Sequence, residues 1–307
     1  MSNKPVSNIA SLSKSQLQHA IIKGLDFKVG RFNVRLVSPI VELVTHLHHL
    51  YGANELLVKE AFIDFHVQLS SPSTLRRYFR PQVNFFLDGY APFKPLPYVQ
   101  ASALFEWGLN WCIASHANQY LIIHAAVVER NGQAFILPGA PGSGKSTLCA
   151  ALVNQGWRLL SDEMTLLSTH DGQIYPVARP ISLKNQSIDV IKKRSPQSVF
   201  GQIVNDTVKG TVGHLRPPEL SVKLGECPAF ASKLIFPKYK QGAATELTTL
   251  SKSKALLRAA GDCFNYNLLG VQGFDSLSGL VEQCACYEFH YSNLDEALIL
   301  FTELSNQ

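Results

Sequence analysis

The stretch Gly139-Ala140-Pro141-Gly142-Ser143-Gly144-Lys145-Ser146-Thr147 has residue types and spacing suited to holding an anion. Gly139, four further residues and then Gly144-Lys145-Ser146 fit the phosphate-binding P-loop pattern. Without Cβ atoms, successive backbone N–H groups can turn inward against phosphate oxygens. A helix opening on Lys145 would point its positive end at the same anion. Lys145 adds a full charge that can reach the β- and γ-phosphates, and the Ser146 hydroxyl is placed to ligate Mg²⁺. ATP and Mg²⁺ are therefore the expected cofactors. A turn that merely joins a strand to a helix is the plainer alternative, and the complete motif argues against it.

A second feature follows at Asp162-Glu163. A carboxylate beside the phosphates can hold Mg²⁺ or accept a proton from an attacking hydroxyl, and two in succession could divide these tasks. Asp162 as a metal ligand or helix cap only is the plainer reading. His124 stands fifteen positions before Gly139, where a satisfied core histidine is the default. Arg179 and Arg216 are read as contacts for the phosphoryl group or the substrate, with surface arginine an equal alternative. The helix carrying His46, His48 and His49 does not bring all three to one face, which argues against a metal site there.

These side chains need elements to position them. Phe135 to Leu137 reads as a short strand that delivers the glycine-rich turn, and Lys145 to Gln155 as the helix behind it, stopped at Gly156. Leu121 to Glu129 reads as one strand, joined through Arg130-Asn131-Gly132 to the strand before the turn, because Asn-Gly is a strong hairpin signal. Trp157 to Leu160 is a strand ending at Ser161-Asp162-Glu163. If that strand runs parallel to the one before the turn, its end lies beside the phosphates. Upstream, Ser38-Pro39 is read as opening a helix that Gly52 closes. Residues 98–118 form a long aromatic helix. Arg179 to Asn185 and residues 205–218 read as loops. The proline-rich run from Ala91 to Pro97 divides the chain into an N-terminal α+β module, 1–97, and a nucleotide-binding domain, 98–307. The fold class is α/β, with the P-loop on a mixed sheet.

Composition excludes several classes. The hydrophobic fraction is 46% and the charged fraction 17%, which describes a globular chain rather than a disordered one. The formal charge of +5 is mild. Arg76-Arg77 and Lys192-Lys193-Arg194 are short clusters best read as solvated surface, so no nucleic-acid partner is expected. No apolar run reaches membrane-spanning length, and the polar start shows no signal peptide. The six cysteines lack zinc-type spacing and read as reduced core thiols, Cys284 and Cys286 included. A cytoplasmic location is expected, and a homo-oligomer is compatible with this reading.

The segments His124-Ala125-Ala126-Val127-Val128-Glu129, Gly139 to Thr147, and Trp157-Arg158-Leu159-Leu160-Ser161-Asp162-Glu163 together resemble the catalytic domain of HPr kinase/phosphorylase. Leu104 to Cys112 and His214-Leu215-Arg216-Pro217-Pro218 look like the HPr-kinase-related group called HprK-related kinase A. The resemblance implies an ATP-dependent kinase that phosphorylates a serine. Lys145 and Ser146 would bind phosphates and Mg²⁺, His124 would lie near the phosphates, and Asp162 would activate the acceptor hydroxyl. The family's second aspartate is Glu163 here, a longer carboxylate for the metal. The implied acceptor is a serine-bearing protein or peptide, with a PqqD-type peptide chaperone as an accompanying partner. A small-metabolite kinase and a non-catalytic ATP-binding switch or assembly factor are the rival readings.

Overall fold

The computed structural model describes residues 7–58, 60–72 and 79–307. The cluster Arg76-Arg77 lies outside the described residues.

A six-stranded mixed sheet carries the glycine-rich turn. Its strands run, from one edge, Glu246–Thr249, Ala285–Tyr291, Phe230–Tyr239, Gln133–Pro138, Ala125–Arg130 and Arg158–Ser161. Phe230–Tyr239 pairs in parallel with Gln133–Pro138 on one side and Ala285–Tyr291 on the other. Ala125–Arg130 runs antiparallel to both of its neighbours. Gln133–Pro138 and Arg158–Ser161 therefore point the same way across it, and their C-terminal ends share one rim. Asn131 (φ 54°) and Gly132 (φ 77°) make the tight turn of the expected hairpin.

Both faces of this sheet are covered, which explains its near-continuous apolar strands. On one face Ala126, Val128, Phe135 and Leu137 meet Leu148 and Leu152 of the helix Lys145–Asn154, and Phe301 of Leu294–Leu304. On the other, Ala125, Val127, Ala134 and Ile136 pack with Ala255 and Ala259 of Lys252–Gly261 and with Leu277 of Val271–Gln283. The chain is a mixed α/β protein with several sheets.

The N-terminal part is a five-stranded sheet, Leu25–Val29, Phe32–Val37, Phe65–Ser70, Gln82–Leu87 and Leu96–Pro97. Its alternating strands bury one face, as the period-two pattern of Phe27 to Leu36 predicts. The aromatic helix, Ala101–His116, packs on this sheet. The same core extends to Ile122, Met164, Leu166 and Val177, so apolar packing runs continuously past residue 97.

Three expectations change. The helix expected from Ser38-Pro39 begins later, at Val41–Leu50, and the Ser38 hydroxyl accepts from the Ile40 N–H (3.1 Å) ahead of it. The strand read through Leu121 to Glu129 breaks at His124. Tyr120–Ile123 pairs with Thr165–Ser168 in a separate sheet, while Ala125–Arg130 joins the large one. Arg179 to Asn185 and residues 205–218 are not loops throughout. Ile181–Lys184, Gly210–Leu215 and Val204–Thr207 form a small antiparallel sheet.

Among the described residues no helix is long and apolar enough to cross a membrane. All six cysteines are free, and Cys284 and Cys286 are both buried.

Candidate functional site

The turn leaves the sheet at Pro138 and enters the helix at Lys145 through two left-handed glycines, Gly142 (φ 89°) and Gly144 (φ 87°). At Gly144 space adds to conformation, since a Cβ would stand 2.3 Å from the Tyr291 hydroxyl. That hydroxyl donates to the Gly144 carbonyl (3.0 Å), and the Tyr239 N–H donates to the Ser143 carbonyl (2.9 Å). The two tyrosines end neighbouring strands and hold the turn from beneath. Gly144→Ala is expected to disorder the turn and lower nucleotide affinity while leaving the sheet folded. Unchanged affinity in a titration with ATP and Mg²⁺ would refute this.

Gly144 has no side chain to cap the helix, and no side-chain cap bond forms there. The first-turn N–H groups therefore lack intrahelical partners and face the turn. This arrangement suits a phosphate.

Lys145 is buried, and its Nζ donates only long bonds, to the carbonyls of Gly139 (3.4 Å) and His124 (3.5 Å). Burial lowers its pKa against the opposing pull of Asp162, Glu163 and Asp262. Asp162 follows Ser161, which pairs with Val127, and so emerges at the rim where Pro138 ends its own strand. It is buried, and one oxygen, Oδ2, accepts from the Ser182 N–H (3.0 Å). Its Oδ1 has no hydrogen-bond partner. The Ser146 hydroxyl approaches this carboxyl and favours its charged form, short of regular hydrogen-bond geometry. Burial, then the neighbouring Glu163 charge, push Asp162 up to about 6 despite Lys145.

Glu163 is differently placed. One oxygen accepts from Asn110 Nδ2, and the other stands 4.0 Å from Lys184 Nζ. Burial alone would raise its pKa, but Lys209, Lys184, Arg179 and Lys145 outweigh it and hold it low. His124 sits at the strand break, half-buried, with its ring 5.6 Å from that of Phe264. Burial, with Lys145 second, lowers it to about 4, so its imidazole is neutral at pH 7.

The structure thus gathers Lys145, Ser146, Asp162, Glu163 and His124 around residues 139–147, with Ala140 and Pro141 exposed on the turn and Ser143 and Thr147 half-buried. An open helix end, a buried ammonium, a hydroxyl and a carboxyl oxygen without a partner fit a nucleoside polyphosphate with a divalent cation.

Arg179 is not delivered as a free cation, and Arg216 is not among the charges that act on Lys145, Asp162 or Glu163. Arg216 is exposed and close enough to His49 to help lower its pKa. Arg179 is buried, donating to Glu106 Oε2 (2.5 Å), to the Glu106 carbonyl (2.9 Å) and to Asn110. Glu106 also binds His46 (2.7 Å) and the Tyr51 hydroxyl (2.9 Å). Burial would raise Glu106, yet Arg179 and His46 outweigh it and hold it at about 2. Arg179→Met is expected to destabilise the fold by about 3–5 kcal/mol, because the buried Glu106 would lose its guanidinium partner and keep only His46 and the Tyr51 hydroxyl. Urea denaturation checks this, and a loss below about 1 kcal/mol would contradict it.

Sequence reasoning missed Asp262, which acts on Lys145 and whose carbonyl accepts from the His124 N–H (2.7 Å). It also missed Asn110, Lys184 and Lys209. None has a local signature, because each reaches the site through pairing of distant segments.

Comparison with known proteins adds the following. A protein-family model, "ScmC: SynChlorMet cassette protein ScmC", matches residues 109–188, the segment from the aromatic helix through the glycine-rich turn to just beyond Lys184. No curated protein matches the chain. Among solved structures, the HPr(Ser) kinase/phosphatase from Coxiella burnetii is similar, with 12% identity and a TM-score of 0.28 over 60% of this chain and 94% of that one.

Proposed function

We propose that this chain is a kinase that binds ATP with Mg²⁺ at residues 139–147 and transfers the γ-phosphoryl group to a serine hydroxyl of a small protein or peptide. One observation carries the reading. Ser146 and the carboxyl of Asp162, whose Oδ1 has no hydrogen-bond partner, stand close together beside the buried Lys145, at the uncapped start of one helix. Such parts supply positioning and charge neutralisation, which is most of what phosphoryl transfer asks of a protein.

In this reading the turn amides and Lys145 hold the phosphates, and Ser146 with Glu163 holds Mg²⁺, which would neutralise phosphate charge. Asp162 takes the acceptor's proton. We assign residues 1–97 to docking of the acceptor, which a PqqD-type chaperone would present. A second reading, a nucleotide-binding switch, draws on the approach of Ser146 to Asp162, which also suits a carboxylate that serves only the metal.

The test is incubation with ATP labelled at the γ-position and lysate of the source cells. Label on serine of a polypeptide supports the kinase. Label in a small molecule moves the acceptor class, and tight ATP binding without transfer leaves the switch.

A pH dependence follows. The base must be ionised, and Asp162 is half-ionised near pH 6. The value of kcat/KM is expected to rise with pH through that value and then level off. The same shift acts on stability with the opposite sign. A carboxyl raised on folding favours the folded state at low pH and loses that contribution as pH rises through about 6. A kcat/KM profile flat across this range would remove Asp162 as the base.

A further inference from the structure

We propose that Lys184 and Lys209 form the receptor for the γ-phosphoryl group in flight, an inference that rests on the nucleotide reading above. Of the arginines first expected in that role, Arg179 is committed elsewhere, and Arg216 is exposed with its charge felt by His49 rather than by Lys145, Asp162 or Glu163. Glu106 and Asn110 hold Arg179.

The two lysines come from one end of the small antiparallel sheet. Lys184 ends Ile181–Lys184 and pairs with Val212, and Lys209 stands in the turn just before Gly210–Leu215. That turn is tight. The Thr207 hydroxyl donates to the Gly210 carbonyl (2.7 Å) and accepts from the Lys209 N–H (3.0 Å), and Gly210 is left-handed (φ 80°). Lys209 Nζ lies 5.2 Å from the centre of the Trp107 ring. Trp107 lines the cleft that also holds Asp162 and Glu163. Lys184 Nζ is 4.0 Å from Glu163.

Charge decides what this pair can take. Two ammonium groups share one carboxylate, Glu163, and Asn110 already holds one of its oxygens. His124, within range of both lysines, is neutral at pH 7 and adds no charge. With Lys145, on which the Lys184 charge acts, the two lysines set three ammonium groups against the carboxylates of Asp162, Glu163 and Asp262, so the negative charge of an incoming phosphoryl group meets no net negative charge here. In the step it would serve, the bond from the γ-phosphorus to the bridging oxygen breaks and its electron pair stays on ADP. A bond to the acceptor oxygen forms, and the acceptor's proton goes to Asp162. The equatorial oxygens of the moving group carry the charge that the lysines balance.

The experiment needs no acceptor. ADP with Mg²⁺ is titrated by calorimetry with and without aluminium fluoride, which mimics the phosphoryl group in transfer. Aluminium fluoride is expected to tighten ADP binding to the unaltered protein by about 10²-fold or more. The double variant Lys184→Met/Lys209→Met should bind ADP–Mg²⁺ within about three-fold and lose that tightening, and Lys184→Arg/Lys209→Arg should restore most of it. The single variants Lys184→Met and Lys209→Met, each expected to lose about ten-fold of it, serve if the double variant is unstable. Full tightening in the Met variants overturns the proposal. So does loss of ADP binding in them, which would make the lysines nucleotide ligands, and so does ADP binding to the unaltered protein with no tightening. Failure of the unaltered protein to bind ADP–Mg²⁺ at all would remove the nucleotide reading itself, and the proposal with it.

Discussion

Lys145→Ala is expected to weaken ATP–Mg²⁺ binding by roughly 10²-fold or more and to abolish measurable transfer. The magnitude follows from losing charge-assisted contacts of about 1.5–3 kcal/mol each. Lys145 Nζ makes two long carbonyl bonds, which leaves its third donor and two weakly held ones for a ligand. The ammonium also opposes the charges of Asp162, Glu163 and Asp262, so its removal pushes the Asp162 carboxyl further toward its neutral form. Calorimetry on the variant, beside a single-turnover assay, separates the two effects. Unchanged affinity together with unchanged turnover would sink the nucleotide assignment for this site.

Asp162→Asn divides the kinase from the switch. The substitution keeps the shape and the neighbours, and Asn Oδ1 can still accept from the Ser182 N–H. Only the basic oxygen is lost. ATP–Mg²⁺ binding is expected to hold within a few-fold, while transfer falls by roughly 10²–10⁴, the scale of general-base catalysis. Glu163→Gln should act otherwise, chiefly by raising the Mg²⁺ concentration that activity requires. Loss of nucleotide binding in Asp162→Asn would make Asp162 a metal ligand, as its nearness to Ser146 also allows. Full activity would remove the base assignment and shift weight to a regulatory role. Nucleotide affinity and single-turnover transfer, measured in both variants, decide among these outcomes.

What could be read from the chain alone was what local chemistry writes into it. The turn, its helix and the hairpin at Asn131-Gly132 announce themselves within a few residues, because left-handed backbone and phosphate contact demand particular side chains. The delivery of Asp162 to the turn was legible too, since a strand after the helix could be expected to run parallel to the strand before it. The break at His124 was not. The apolar run from Leu121 to Val128 is interrupted only by His124, whose N–H donates to the carbonyl of the distant Asp262. Residues 205–218 looked polar enough for a loop. In the fold Gly210–Leu215 pairs on both sides and buries His214. Arg179 misled for a similar reason, because its partner Glu106 sits in a helix whose aromatic residues had already accounted for it as core.

The order of strands in the large sheet has a consequence in time. The strand that delivers the turn, Gln133–Pro138, acquires its parallel neighbour only when Phe230–Tyr239 has been made. Tyr291, which props Gly144, comes later still. A growing chain therefore carries the turn through most of the remaining synthesis with one edge of its strand bare. Exposed strand edges invite association with other chains, and pairing across long stretches of sequence is slow. Chains that stop before Phe230 are expected to aggregate rather than bind nucleotide, so the site is a property of the finished chain and not of the motif that announces it.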